Sequence, residues 1–180
     1  MPVIGNPKPE YRRWKLTTAD VDNLLNLIEH TSDCRLLAPS GLPTIEREHI
    51  FPDDLARFYA LCGGAVIYES SAYCANISPP KDLVLANPII AGVRGEYDIT
   101  SSWYIVAYLP DGNYITIDLT NNRLGRCYDS SLGRHGNPGY CPVIAKSFLD
   151  LLANLHREGG NYFYWLEDGF APLGDAYDVG

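Results

Sequence analysis

Residues 51–64 have the sequence FPDDLARFYALCGG, which carries the start and end signals of a helix. Proline suits the first helical turn, where its missing N–H is not needed, and Asp53 and Asp54 place negative charge at the positive end of the helix dipole. We expect Gly63 and Gly64 to end the helix, because glycine adopts the left-handed cap conformation without steric cost. Apolar residues spaced i, i+3, i+4 and i+7 predict one buried face, formed by Leu55, Phe58, Tyr59 and Cys62.

Two further helices are predicted, one on each side of this stretch. The first is capped by Thr17 or Thr18 and repeats the apolar spacing at Val21, Leu24, Leu25 and Ile28. The last ends at a Gly-Gly pair, residues 159–160, and its apolar face consists of Ile144, Phe148, Leu151, Leu152 and Leu155. A short helical turn is expected at residues 44–48, after a loop rich in proline and glycine.

Strands are predicted between the helices, where β-branched and aromatic residues occur in short runs separated by Pro, Gly and Asn. The clearest pair flanks Pro110-Asp111-Gly112-Asn113, where alternating patterns on both sides of an Asp-Gly turn predict a β-hairpin. The predicted strands are residues 65–70, 83–86, 89–91, 103–109, 113–119 and 124–128. Because the helices flank these strands instead of alternating with them, we predict an α+β fold, an antiparallel β-sheet meander with helices packed on one face.

The chain of 180 residues has no internal repeat, so we expect a single domain over residues 1–180. Residues 1–16 form a basic, proline-rich N-terminal arm, whereas residues 158–180 form an acidic tail with five Asp or Glu and no Lys or Arg. The tail is also rich in aromatic rings, which we expect to be buried against their own domain, with docking on a partner as the alternative. The acidic tail contacts the basic arm, faces a basic partner, or is simply solvated.

Charge and composition limit the kinds of partner and the cellular compartment that we expect for this protein. A net charge of −8 and a pI near 4.8 disfavour nucleic acid and anionic membranes, which require a basic surface. The N-terminus lacks the pattern of a signal peptide, and no run of about 18 apolar residues occurs, so we expect a cytoplasmic protein without a membrane span. Five cysteines with no C-x-x-C pair predict buried free thiols instead of disulfides.

Three segments, in order along the chain, resemble the SUKH superfamily, which is named partly for a fungal cell-wall assembly regulator. Residues 51–64 resemble the family's Leu-Pro-x-Asp-Leu helix that ends in Asn-Gly-Gly. Residues 111–118 are similar to its central hairpin, and residues 143–152 resemble its closing segment, where an apolar-Ala-x-Ser-Phe run starts the last helix. The resemblance covers a SUKH-like core at about residues 42–157. Two positions differ from the family pattern: Phe51 replaces the usual Leu and Cys62 the usual Asn.

The resemblance implies a non-catalytic, protein-binding role without a cofactor. Many bacterial members are immunity proteins that bind and neutralise a cognate toxin, often a nuclease or a deaminase. The acidic composition agrees with a basic toxin domain as partner, because opposite charges accelerate association. We expect a monomer or a weak homodimer. A regulatory scaffold without a toxin is an alternative that the sequence does not separate from this one.

Acidic and aromatic residues in predicted loops and at strand ends are the candidates for partner contact. They are Glu96, Tyr97, Asp98, Asp118, Tyr128, Asp129, Glu167 and Asp168. The tyrosines suit protein contact, because aromatic residues are enriched among the residues that contribute most of the binding energy at interfaces. Carboxylates grouped across a sheet also suit acid–base catalysis or a divalent cation, and solvated turn residues explain them equally well.

An enzymatic alternative depends on Cys127, His135 and Cys141, which gather two thiols and an imidazole around one loop. A nucleophilic cysteine needs a nearby base, and zinc needs three or four such ligands, so a small hydrolase or a metal-dependent enzyme is the alternative function. The spacing of these residues matches no common ligand pattern. The sequence also lacks a Gly-x-Ser-x-Gly, a phosphate-binding loop and a His-Glu-x-x-His motif. We therefore predict neither catalytic residues nor metal ligands.

Overall fold

Every strand of the sheet pairs with the next strand along the chain, in an antiparallel meander. The computed structural model describes residues 18–178, so the basic arm at residues 1–16 lies outside the described part. The strands are β1 (Arg35–Leu36), β2 (Ala65–Ile67), β3 (Ala75–Ile77), β4 (Trp103–Tyr108), β5 (Tyr114–Asp118), β6 (Cys127–Asp129) and β7 (Val143–Ala145). The predicted α+β meander is confirmed. Within residues 18–178, no helix combines the length and the apolar character needed to cross a membrane.

The central hairpin joins β4 and β5, as the Asp-Gly turn predicts. Asp111 Oδ1 accepts a hydrogen bond from the Asn113 N–H at 3.1 Å, and Gly112 has φ +79°, a conformation that favours glycine. The register shifts once between Ile105 and Ala107, which marks a bulge in the paired strands.

Three long helices cover one face of the sheet, and their apolar residues form the larger core. They are α1 (Thr18–Glu29), α2 (Asp53–Leu61) and α4 (Phe148–Arg157). The predicted last helix is too long at its start, because Ile144 belongs to β7 and Ser147 caps α4 by accepting from the Asp150 N–H at 3.1 Å.

Helix α2 packs against both of the other long helices. The rings of Phe58 and Phe148 are 4.8 Å apart, and the buried Tyr59 hydroxyl donates to the Ser78 carbonyl at 2.7 Å. Asp54 Oδ2 accepts from the Leu149 N–H at 2.8 Å, which fixes α2 to the start of α4. The buried face predicted from the apolar spacing is therefore confirmed.

The predicted glycine cap of α2 is wrong. Cys62 ends the helix in an extended conformation, with φ −146° and ψ 166°, and Gly63 has no positive φ. Gly63 is instead required by close packing, because a Cβ there would overlap the carbonyl oxygen of Ala38. Gly64 has φ +123°, and its carbonyl accepts a hydrogen bond from the Leu37 N–H at 2.9 Å.

The opposite face of the sheet carries a smaller core around Trp103, Ile105 and Tyr128. The short helix α3 (Ala86–Ile90) contributes to it, so the helices do not all pack on one face. The strand predicted at residues 89–91 is wrong, because Pro88 cannot donate to a strand but fits the first turn of α3. The strand predicted at residues 83–86 is reduced to a bridge between Leu85 and Tyr104, and Ala86 begins α3.

Other differences from the prediction are local. Residues 44–48 form no helix; the Glu46 N–H donates instead to the Tyr104 hydroxyl at 3.0 Å. The strands β1 and β3, which have two or three residues each, lack the length to give a pattern in the sequence.

The aromatic tail packs against its own domain, as expected. Phe163, Tyr164 and Trp165 are buried, and the Tyr164 hydroxyl donates to the Ile144 carbonyl at 2.9 Å. Asp175 forms a bridge with Pro142 near the end of the described chain.

Candidate partner-binding surface

Two neighbouring loops on the face opposite the long helices form the candidate site. One loop spans residues 91–98, after α3, and the other spans residues 131–141, between β6 and β7. The Tyr177 hydroxyl joins them, because it lies 2.6 Å from the Gly136 carbonyl and 3.4 Å from Asp98 Oδ1. We call residues 91–98 and 131–141 together the two-loop surface.

The buried side chain of Asn87 connects the two loops. Its Nδ2 donates to the Arg94 carbonyl in the first loop at 3.1 Å, and its Oδ1 lies 2.7 Å from His135 Nε2 in the second. Because Oδ1 accepts, Nε2 of His135 carries the proton and Nδ1 accepts from the Ser130 hydroxyl at 3.2 Å. Burial lowers the pKa of His135, which favours this neutral tautomer, while Asp98 opposes the shift.

Large apolar side chains are exposed on this surface. Tyr97 is 102% exposed and Leu132 84%, and Val93 and Tyr140 are also exposed. Single exposed apolar residues are common, but several on two connected loops, beside the carboxylates of Glu96 and Asp98, resemble the aromatic and polar composition of protein interfaces. The surface is therefore suited to contact with another protein.

A groove of about 420 Å³ lies beside the first loop and is mainly acidic. Glu46, Glu48 and Glu96 line it, and Tyr97 forms part of its wall. Arg94 is the cation of the groove and is paired with Glu46. The remaining carboxylates favour a positively charged group of a partner.

Five of the eight predicted contact residues are exposed. Glu96, Tyr97 and Asp98 lie on the two-loop surface, and Asp98 also accepts from the Thr100 N–H at 3.0 Å, which holds the end of the first loop. Glu167 and Asp168 are exposed in the tail, outside these loops.

Asp118 is a structural residue and does not face solvent. It is completely buried, and its carboxylate pairs with Arg123 Nε at 2.7 Å. It also accepts hydrogen bonds from side chains and backbone at 2.7–3.0 Å, namely those of Ser102, Trp103 and Thr120. Its position at the end of a strand suggested a solvated residue, but these donors surround it completely.

Tyr128 and Asp129 are likewise buried. The Tyr128 ring stacks on Trp103 with centroids 4.1 Å apart. Asp129 accepts from the Ser131 N–H at 3.2 Å and pairs with Arg134 Nη1 at 2.8 Å, so it holds the base of the second loop. Asp129 therefore positions the second loop, and neither Tyr128 nor Asp129 is exposed on the two-loop surface.

The three residues of the enzymatic alternative, Cys127, His135 and Cys141, do not come together in one site. Cys127 belongs to the core beneath the long helices, whereas Cys141 belongs to the core on the opposite face, where the His135 ring contacts Trp103. Burial raises the pKa of both thiols, which disfavours the thiolate. No group of three or more His, Cys, Asp or Glu side chains between residues 18 and 178 is arranged to hold a metal ion.

Sequence reasoning missed Asn87, Val93, Leu132 and Tyr140. Asn87 precedes a proline, which is a turn signal, and nothing local shows that its amide connects two loops. The exposed apolar residues carry no pattern of their own in the sequence.

Comparison with known proteins places the fold in a family. Residues 46–154 match the model of the SMI1 / KNR4 family (SUKH-1), which covers more than half of the chain. The chain belongs to this family. It is also 49% identical over 158 residues to the immunity protein YokJ of Bacillus subtilis (strain 168), across 88% of this chain and 96% of that protein. No solved structure shows a significant match. The predicted SUKH membership is confirmed.

Proposed function

We propose that this SUKH protein is an immunity protein that binds and neutralises a cognate toxin without catalysing a reaction. The observation that carries the proposal is the 49% identity to a protein named immunity protein YokJ. The alignment covers 88% of this chain and 96% of that protein, so the similarity extends over the sheet and both candidate loops. The separation of Cys127 from His135 and Cys141 also supports a binding role.

The proposed partner is a basic toxin domain of the nuclease or deaminase type. The net charge of −8 supports it, since enzymes that act on nucleic acids tend to present a basic working face. The proposed location is the cytoplasm, and the five unpaired thiols agree with a reducing compartment. We propose that the protein is a monomer or a weak homodimer and that each copy binds one toxin domain.

The two-loop surface is the proposed contact region. Tyr97 offers an aromatic anchor that burial in a complex would desolvate, and Glu96 offers charge complementary to a basic face. The Asn87 and His135 side chains hold the loops before the partner arrives, which reduces the conformational entropy lost on binding. Glu167 and Asp168 are proposed as a separate acidic contribution from the tail.

The test is co-expression with the toxin encoded by the neighbouring gene. The protein should restore growth and co-purify with the toxin as a one-to-one complex. Tyr97→Ala should weaken the complex at least tenfold by isothermal titration calorimetry, or about 1.4 kcal/mol. Leu27→Ala removes an exposed apolar side chain from α1, outside the two-loop surface, and is the control. Absence of both growth rescue and complex formation would favour the regulatory scaffold instead.

A further inference from the structure

A second groove is lined by cations, although the chain as a whole is acidic. Its volume is about 370 Å³, within the range of small-molecule sites. It lies between the turn at Asn121–Arg123, the approach to β6 and the segment around β7, with one residue from the tail. We call it the cationic groove, and the residues that matter most are Asn121, Arg123, Arg126, Val143, Lys146 and Leu173.

Three cations line the cationic groove in a chain whose net charge is −8. Arg123 donates from Nε to the buried Asp118, which orients its guanidinium and leaves its terminal nitrogens for another acceptor. The ion pairs formed among residues 18–178 include neither Arg126 nor Lys146. Three cations against one carboxylate leave a formal surplus of two positive charges.

A buried hydroxyl lies on β6, the strand that pairs with Val143 of the groove. Tyr128 OH is the buried side-chain oxygen without a hydrogen-bond partner among the described residues. Tyr128 pairs across strands with Val143, which lines the groove, and its hydroxyl is within electrostatic range of Arg123 and Arg126. Buried polar groups are rarely left unpaired, so this hydroxyl is an unexplained donor on the strand that pairs with the wall of the groove.

We propose that the cationic groove binds the phosphate group of a small molecule through Arg123, Arg126 and Lys146. Guanidinium groups match phosphate geometry, and the surplus of two charges matches a phosphate monoester, which carries about −1.5 to −2 at neutral pH. The Asn121 amide offers polar contacts to the remainder of the ligand, and Val143 and Leu173 offer apolar ones.

The ligand is small and not a nucleic acid strand. A strand requires cations along an extended track, whereas here they are confined to one groove on a strongly acidic protein. A single phosphate avoids the repulsion that a longer polyanion would meet outside the groove.

The test is isothermal titration calorimetry of the full chain with adenosine 5′-monophosphate, inorganic phosphate and malate at constant ionic strength. Adenosine monophosphate should bind one to one. If inorganic phosphate binds as tightly, free phosphate is the source; if it binds more weakly, a phosphate monoester is. Arg126→Gln combined with Lys146→Gln should weaken phosphate binding at least tenfold. Arg47→Gln combined with Lys81→Gln changes the net charge equally at exposed sites outside the groove and should leave binding unchanged.

Three outcomes would overturn the proposal. They are the absence of saturable binding by both phosphate compounds, an equal loss of affinity in the control variant, and tighter binding of malate or of a short single-stranded RNA than of adenosine monophosphate. All variants carry exposed or half-exposed substitutions, and circular dichroism verifies their folding. The result can be separated from toxin neutralisation, because the Arg126→Gln, Lys146→Gln variant keeps the two-loop surface and the acidic tail and should still restore growth.

Discussion

The two faces of the sheet are built by different means. Beneath the long helices, the core consists almost entirely of apolar side chains such as Phe58, Leu152 and Ile117. On the opposite face, buried polar groups lie among the apolar ones, including Asp118, Asn87 and the paired hydroxyls of residues 116 and 130. An apolar core is non-directional and contributes stability, whereas buried hydrogen bonds are directional and fix the positions of loops. The difference suggests that the helical face mainly stabilises the fold and the opposite face mainly positions the two-loop surface.

The largest expected loss of stability is in the core beneath the long helices, which we call the helical face. Phe58→Ala removes a completely buried ring that contacts Phe148, so the free energy of unfolding should fall by about 3–5 kcal/mol. Urea denaturation followed by circular dichroism measures it. Leu27→Ala, on the exposed side of α1, should change stability by less than about 0.5 kcal/mol. A similar loss in both variants would show that the helical face is not the main source of stability.

The next largest loss of stability is expected on the opposite face of the sheet, among its buried polar groups. Asp118→Asn keeps the size of the side chain but removes its charge and makes one of its acceptor atoms a donor, next to Arg123 and the Trp103 Nε1–H. A loss of about 2–3 kcal/mol is expected from the broken charge-assisted hydrogen bonds. The same urea experiment measures it, with Asp111→Asn in the exposed hairpin turn as control. An unchanged urea midpoint would mean that the buried polar groups on this face fix the positions of loops without adding to the stability of the fold.

Asn87→Ala separates stability from loop position. We expect a modest loss of about 1–2 kcal/mol from two broken hydrogen bonds. Hydrogen exchange should accelerate in residues 91–98 and 131–141 and remain unchanged in α2, because only the loops lose their shared contact. Uniform acceleration across the protein would contradict a specific positioning role.

Tyr128→Phe should have a small and favourable effect on stability. The buried hydroxyl has no partner among the described residues, so its removal should leave stability unchanged or raise it by up to about 1 kcal/mol. Thermal unfolding of the variant and of the original chain, without phosphate, measures the difference. A clear loss of stability would reveal a hydrogen bond that this hydroxyl makes in solution.

The last prediction concerns the slope of stability against pH. Burial lowers the pKa of His135 below its ordinary value of 6.5, so the unfolded chain binds the proton more readily. The stabilisation from neutral His135 is complete above about pH 6.5 and is lost as the pH falls through the pKa of the folded state. His135→Gln should make the fall in urea midpoint below pH 6.5 shallower, whereas Val93→Ala should keep it. An identical slope in His135→Gln would assign the fall to other groups.

Local pattern predicted the parts of the fold that depend on local chemistry. The apolar spacing of Leu55, Phe58 and Tyr59 identified the buried face of α2, and Asp111-Gly112 identified the central hairpin. It failed at residues 83–91, because a short apolar run is compatible with a strand or a helix. Glu96, Tyr97 and Asp98 were correctly expected to be exposed, but Asp118 was not recognised as buried, since its donors come from residues elsewhere in the chain.

The sequence by itself determined the fold class, the central hairpin, the buried faces of the long helices and the family. Each depends on spacing within one segment or on the order of motifs along the chain. Only the tertiary structure decided which polar residues are buried, which loops are neighbours and which cations share a groove. Asn87 and His135 are 48 residues apart, and their hydrogen bond joins the two loops. A polar side chain is stable in the interior only with a suitable partner, and folding alone brings that partner within reach.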